Sequence, residues 1–331
     1  MGRARLQVSD YVEGIRERQR FVLSQAITLI ESTLESDQRL AEEVLEGVLP
    51  YSGHSLRIGI TGVPGVGKST FINALGPFLI KQGHSVAVLS VDPSSELSRG
   101  SILGDKTRMP ELSHHDEAFV RPSATGNTLG GVARKTRESM LLCEAAGYDI
   151  ILIETVGVGQ SETLVHQMVD CFVLLMLAGA GDELQGIKRG IMEMTDILVI
   201  HKADGSNLEA ALKAKKEYQN ALDLFPMPES QVRPAVLTCS STEKTGLAEF
   251  WKSVSHYQKI TKENSHFSEK RKQQRLQWLH DTMGQYLKQL FYDHPLVQQQ
   301  LKKEEQQVLD GTAAPGKVAR QLISLFQEKT D

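Results

Sequence analysis

The chain has 331 residues, of which 40% are hydrophobic and 24% are charged, an ordinary composition for a globular protein. Its net charge of -4 argues against a nucleic acid partner, because proteins that bind nucleic acids usually carry an excess of basic side chains. The longest apolar stretch, 172–180, is too short to cross a membrane. Residues 1–20 lack the features of a signal or transit peptide. We therefore expect a cytoplasmic protein with no membrane partner.

Residues 1–54 are predicted to form an N-terminal helical extension. Apolar residues recur at helical spacing in two stretches, 22–34 and 40–48. Pro50 and Gly53 mark the end of this segment, since both residue types interrupt helices.

Residues 55–260 alternate short apolar runs with helical stretches, which predicts an α/β fold. Several runs consist almost entirely of Ile, Val and Leu, as expected for parallel strands covered by helices on both faces. The predicted strands are 56–61, 85–91, 118–121, 149–155, 171–177, 197–201 and 235–240. The predicted helices include 68–82, 131–146, 207–222 and 247–261. We expect a P-loop NTPase with a doubly wound, mostly parallel sheet.

Residues 261–331 are rich in Lys, Gln and Glu and are predicted to form a C-terminal helical arm. Two apolar stripes have helical spacing. The first comprises Leu276, Leu279, Met283, Leu287 and Leu290, and the second comprises Val318, Leu322, Leu325 and Phe326. Two interpretations stay open: a pair of helices packed on their own domain, or an arm that joins a second subunit in a homodimer.

The strongest motif is a complete GxxxxGK[ST] sequence between the first predicted strand and the first helix after it. In such a loop the glycines bring backbone N–H groups to phosphate oxygens, the lysine reaches the β- and γ-phosphates, and the serine hydroxyl binds Mg²⁺. The start of the helix adds its positive dipole end. The residues are Gly62, Val63, Pro64, Gly65, Val66, Gly67, Lys68, Ser69 and Thr70.

Acidic residues follow the apolar runs at positions suited to a metal ion. Asp92 and Glu154 each stand at the end of a predicted strand, and Asp105 lies in a long segment without a periodic pattern. A cap or turn is the alternative role for the two aspartates. Gly157 is predicted to meet a γ-phosphate. Gln160 is a candidate for orienting the attacking water, with a polar loop residue as the equal alternative.

Two further strand ends predict recognition of a guanine base. Asp204 could accept hydrogen bonds from N1–H and the 2-amino group, a pair that adenine lacks, and the stem of Lys202 could cover the ring. His201 stands where the common pattern has Asn, and an imidazole cannot copy both edges of an amide. The loop after the last strand resembles one that contacts the guanine oxygen through backbone N–H groups. Its residues are Ser240, Ser241 and Thr242.

His114 and His115 are adjacent, which raises the question of a metal site. No cysteine lies near them and the other histidines are scattered along the sequence. A solvated loop is therefore the preferred interpretation.

Taken with these motifs, five segments make the sequence similar to the ArgK/MeaB family of P-loop GTPases. The segment 100–109 is the most distinctive, because few other P-loop families contain Gly-Asp-Lys-Thr-Arg-Met. The five segments are 62–70, 92–95, 100–109, 154–162 and 181–188. The likeness covers almost the whole chain. The sequence departs from the family at His201, where members usually have Asn, and at Glu96, where many have Pro or another residue.

The resemblance implies a GTPase that acts as a chaperone for an adenosylcobalamin-dependent mutase of the methylmalonyl-CoA type. It implies GTP or GDP with Mg²⁺ as cofactors, a homodimer joined through C-terminal helices, and a switch at 178–188. By position, Lys68 and Ser69 bind phosphate and Mg²⁺. Asp92, Asp105 and Glu154 line the metal site, and Asp204 recognises guanine.

Three other functions stay open. One is an ATP-dependent kinase linked to lysine, arginine and ornithine transport, a label that this family has also carried. Another is a nickel metallochaperone GTPase, which would need Cys or His ligands. The third is a nucleotide-dependent interaction module without useful turnover.

Overall fold

The structure is a computed structural model that describes residues 5–91, 109–121, 129–155, 161–179 and 189–327. Its centre is a parallel sheet in the order β3-β2-β4-β1-β5-β6-β7. The strands are β1 (Leu56–Gly62), β2 (Val86–Val91), β3 (Ala118–Arg121), β4 (Ile150–Thr155), β5 (Cys171–Leu177), β6 (Ile197–His201) and β7 (Ala235–Cys239). All seven predicted strands are present, and the doubly wound α/β fold is confirmed.

Thirteen α-helices lie within the described residues. Before the sheet come α1 (Val8–Arg16), α2 (Arg20–Glu31) and α3 (Glu35–Val48). Between the strands lie α4 (Lys68–Lys81), α5 (Pro110–Ser113), α6 (Leu129–Ala145), α7 (Ser161–His166), α8 (Arg189–Glu193) and α9 (Leu208–Asp223). After the sheet come α10 (Leu247–Glu263), α11 (His266–Asp293), α12 (Pro295–Leu309) and α13 (Pro315–Gln327). Within this part of the chain, no helix is long and apolar enough to cross a membrane.

Alternate residues of the central strands enter cores on opposite faces of the sheet, as a parallel sheet covered on both sides requires. Ile151 and Ile153 of β4 pack with α6 and the N-terminal helices. Ile150 and Leu152 of the same strand pack with α4 and α10. Because both faces are covered, the strands are mainly apolar and do not alternate apolar with polar residues as in a half-exposed sheet.

The chain divides into two compact units, Met1–Gln274 and Arg275–Asp331. In the second unit α12 and α13 pack together, with Val297, Val318 and Leu322 buried. The two apolar stripes predict two helices after residue 261, and that number is wrong because α12 also forms. Its Gln- and Lys-rich sequence has too few apolar residues for an evident stripe.

Candidate nucleotide-binding site

The P-loop joins the end of β1 to the start of α4, at the carboxyl edge of the sheet. Gly62 and Gly67 have φ angles of 153° and 94°, which side chains other than glycine rarely adopt. A Cβ atom at Gly62 would also collide with the carbonyl oxygen of Leu175. Helix α4 begins at Lys68, and the N–H groups of its first turn have no acceptor within the helix. The loop is therefore a concave surface of backbone donors suited to an anion.

The Lys68 ammonium is buried and turned back onto the P-loop. It donates to the carbonyl oxygen of Gly62 at 2.9 Å and approaches that of Val63 at 3.4 Å. Burial lowers the pKa of Lys68, an effect that the nearby Glu154 and Glu162 carboxylates oppose. A buried ammonium that contacts carbonyl dipoles is a strong site for a phosphate oxygen, which brings a full negative charge.

The side chain of Ser69 contacts the acid at the end of β4. Its hydroxyl donates to Glu154 Oε1 at 2.7 Å, and Glu154 is 5% exposed. Ser90 lies opposite Glu154 in the register of β2, and its hydroxyl is buried with no hydrogen-bond partner among the described residues. Ser69 and Glu154 are thus in contact, and Ser90 stands beside Glu154 on the neighbouring strand. Oxygen donors of this kind fit Mg²⁺, which prefers carboxylate and hydroxyl ligands.

Two residues near this cluster were not assigned a role from the sequence. Glu162 in the first turn of α7 is 2% exposed, and its charge acts on Lys68. Ser90 is one of six consecutive buried residues of β2, and the otherwise apolar pattern of this strand hides its polar side chain. The sequence signal for Ser90 is its position two residues before Asp92, the acid predicted at the end of this strand.

The predicted base-recognition residues lie on neighbouring loops after β6 and β7. The Ser240 hydroxyl hydrogen-bonds to Asp204 Oδ2, and the Ala203 amide donates to the carbonyl oxygen of Cys239 at 3.1 Å. Lys202 has a φ of 57° and donates from Nζ to the carbonyl oxygen of Gly65 at 2.9 Å. The carboxylate of Asp204 is therefore held in place beside the P-loop.

His201 is enclosed at the point where these loops meet. Its side chain contacts both the P-loop and the loop after β7: Nδ1 lies 2.6 Å from Val66 O, and Nε2 lies 2.6 Å from Ser241 Oγ. The residue is only 2% exposed, and burial lowers the pKa of its imidazole. Thr242 is exposed in the same loop.

Several predicted site residues lie outside the described residues. They are Asp92, Asp105, Gly157 and Gln160, together with 180–188 of the predicted switch. Their roles stay predictions. The remaining predicted residues lie in two neighbouring groups. One comprises the phosphate-side residues around Lys68, and the other comprises the base-side residues around Asp204.

His114 and His115 directly follow α5. Nδ1 of His114 contacts the carbonyl oxygen of Pro110. Among the described side chains, no three from His, Cys, Asp and Glu are grouped so that they could hold a metal ion.

A parallel sheet whose first strand leads into this loop and helix defines a P-loop nucleoside triphosphatase. Residues 23–295 match the family model described as methylmalonyl-CoA mutase-associated GTPase MeaB. The chain therefore belongs to the MeaB family, and it is a GTP hydrolase.

Known relatives agree with this assignment over nearly the full length. A probable GTPase of Mycobacterium tuberculosis is 47% identical over 320 residues, covering 96% of this chain and 95% of the relative. GTPase ArgK of Escherichia coli is 43% identical over 321 residues, covering 97% of each. The mitochondrial methylmalonic aciduria type A homolog of Mus musculus is 44% identical over 326 residues, covering 96% of this chain and 79% of the relative. A crystal structure named LAO/AO transport system kinase superposes with a TM-score of 0.75 at 36% identity, covering 99% of both chains.

Proposed function

We propose that this GTPase is a chaperone for an adenosylcobalamin-dependent mutase of the methylmalonyl-CoA type and that GTP hydrolysis gates loading of the mutase cofactor. The observation that carries the proposal is the match of residues 23–295 to a family described as mutase-associated. The relative in Mus musculus, whose name refers to methylmalonic aciduria, supports the same partner.

In the proposed GTPase, the described site residues act in phosphate binding, metal binding and base recognition. Lys68 turns from the P-loop carbonyls to the β- and γ-phosphates, where its charge offsets the charge that develops on them. Ser69 and Glu154, already in contact, hold Mg²⁺ together with Asp92 and Asp105. The ion, when bound, supplies charge neutralisation at the phosphate oxygens. Asp204 accepts hydrogen bonds from guanine, and Ser240 orients its carboxylate.

The proposal includes a homodimer that forms through α11. One face of this helix carries five apolar side chains of the predicted stripe, each about half exposed or more. A contiguous apolar face of this kind is typical of a protein interface. These side chains are Leu276, Leu279, Met283, Leu287 and Leu290. A cytoplasmic location is also proposed, which agrees with three cysteines that are buried and free.

The test is a side-by-side measurement of GTP and ATP hydrolysis with Mg²⁺, with and without an adenosylcobalamin-dependent methylmalonyl-CoA mutase. Lys68→Ala is the blank. We expect preference for GTP and faster turnover in the presence of the mutase. Turnover that the mutase does not change would contradict the chaperone role.

The name of the 36% identical kinase structure favours one second candidate, an ATP-dependent kinase serving transport. It predicts transfer of the γ-phosphate from ATP to a protein. Radiolabelled ATP and GTP distinguish the two candidates, because the chaperone proposal expects release of inorganic phosphate from GTP and no labelled protein.

A further inference from the structure

His201 uses both of its ring nitrogens inside the protein. The carbonyl oxygen of Val66 can only accept a hydrogen bond, so the Nδ1 atom beside it carries the proton. The ring is buried, which favours the neutral form with a single N–H. Nε2 then accepts from the hydroxyl of Ser241. The imidazole consequently has no further N–H to donate to a ligand.

An asparagine at this position would behave differently. Its amide nitrogen has two N–H groups, so one could donate to the P-loop carbonyl while the other stayed available to an acceptor on the base. Guanine presents such an acceptor at N7. The substitution of His for Asn thus keeps one role of the amide and removes the other.

The ring is also closely packed against the P-loop and the helix that follows it. The absence of a side chain at Gly67 lets the imidazole lie close to the P-loop backbone, because a Cβ there would be 3.0 Å from Cε1 of His201. Phe71 packs edge-on against the imidazole with 5.8 Å between ring centroids. The neighbouring Lys202 anchors the same loop to Gly65. His201 therefore contacts the P-loop at Val66, the loop after β7 at Ser241 and helix α4 at Phe71.

We propose that His201 is a positioning residue that ties the P-loop to the loop after β7 and does not read the base, so that this chain recognises guanine without a hydrogen bond from residue 201 to N7. The inference rests on the proposed guanine site. It moves base selectivity onto Asp204 and the loop at 240–242.

The first test compares GDP with 7-deaza-GDP, in which N7 is replaced by C–H, in the wild-type chain and in His201→Phe. We expect the ratio of the two dissociation constants to be near 1 and equal in both proteins. In His201→Asn the second amide N–H becomes available, and we expect 7-deaza-GDP to bind roughly threefold to tenfold more weakly than GDP, as for one hydrogen bond. A wild-type ratio at least threefold above that of His201→Phe would overturn the proposal. If His201→Phe does not fold, the wild-type ratio decides alone, with a value near 1 in support and about threefold or more against.

The second test concerns the link itself. His201→Phe keeps a ring between Phe71 and Gly67 but removes both nitrogens, so we expect GDP affinity to fall about tenfold, the effect of two modest hydrogen bonds. Ser241→Ala removes one bond, and we expect a loss of about threefold. His201→Asn should recover part of the affinity through Val66. Wild-type affinity in His201→Phe would show that the ring only fills space and would overturn the link.

The outcomes separate this inference from the proposed function. A wild-type chain that bound ATP as tightly as GTP would remove the guanine site itself. Preference for GTP together with a 7-deaza-GDP penalty at least threefold larger in the wild-type chain than in His201→Phe would leave the guanine site intact and overturn only the role given to His201.

Discussion

Buried charged side chains occur at both edges of the sheet, but their partners differ. Those at the amino edge form ion pairs, whereas Lys68 at the carboxyl edge contacts backbone carbonyl oxygens. At the amino edge the Arg57 guanidinium pairs with both oxygens of Glu144, at 2.8 and 2.9 Å. Arg271 makes a two-point pair with Asp170, with both distances 2.7 Å, and also donates to the carbonyl oxygens of Gly53 and Ser55. At the carboxyl edge the Lys68 ammonium donates to the carbonyl oxygens of Gly62 and Val63. These neutral acceptors compensate a buried charge less than a carboxylate does.

The difference separates charges that hold the fold from charges that await a ligand. A buried ion pair with every donor satisfied gives geometric definition to the elements that it joins. A buried ammonium among carbonyl oxygens lowers the stability of the free protein and gains its partner when phosphate binds. Substitutions at the two edges should therefore affect stability and activity in opposite proportions.

Arg271→Ala tests the amino edge and should have the largest effect. The change leaves the carboxylate of Asp170, whose side chain is 2% exposed, without its main partner. We expect a loss of about 3–5 kcal/mol in the free energy of unfolding, as for other broken buried pairs. Urea denaturation measures it, while GTP turnover per folded molecule should change little because the site lies at the opposite edge.

The matched control is Lys272→Ala. Lys272 adjoins Arg271 in α11 but is 62% exposed and pairs with Glu269 one turn away. We expect a change below about 1 kcal/mol for such a surface pair. Equal losses in the two variants would mean that the buried network does not stabilise the fold more than a surface contact does.

Lys68→Ala tests the carboxyl edge and should reverse the pattern. In its proposed role Lys68 stabilises the transferred phosphate, so its loss should lower GTP turnover by about 10²- to 10³-fold, as for other single stabilising donors. The free energy of unfolding should stay the same or rise, because burial of the ammonium lowers its pKa and thus costs stability. Lys81→Ala, at the exposed last turn of the same helix, is the control for both measurements.

The same contrast explains what could be predicted from the sequence. The strands and the P-loop follow from local patterns, and the ends of the predicted strands differ from the observed ones by no more than one residue. The pair between Arg271 and Asp170 joins residues 101 positions apart. Arg271 also stands in a run of Lys, Arg and Gln in which no local feature distinguishes it. Likewise the departure of His201 from the common Asn-Lys-x-Asp pattern is visible in the sequence, but the two contacts of its ring depend on how separate loops meet.

Glu138 on α6 is an intermediate case, a largely buried acid whose side chain is 13% exposed and only partly paired. Arg134 lies 3.9 Å away, and burial raises the pKa of Glu138 to about 7 against the opposing charges of Arg134 and Lys135, while Glu42 adds to the rise. Since the folded-state pKa exceeds the unfolded one, the folded chain binds more protons between about pH 4.5 and pH 7, and stability should fall as the pH rises through this range. Glu138→Gln should therefore stabilise the protein at pH 8 by about 1–3 kcal/mol and have much less effect at pH 5.

Urea denaturation at the two pH values measures this difference, with the exposed Glu43→Gln on α3 as control. The control should change stability equally little at both pH values, because its side chain is in water in both states. A gain for Glu138→Gln that did not depend on pH would show that the substitution acts through packing. Glu138 would then belong with Arg271, as a charged side chain whose partners compensate its burial. A carboxylate compensated in this way keeps an ordinary pKa and is ionised near neutral pH.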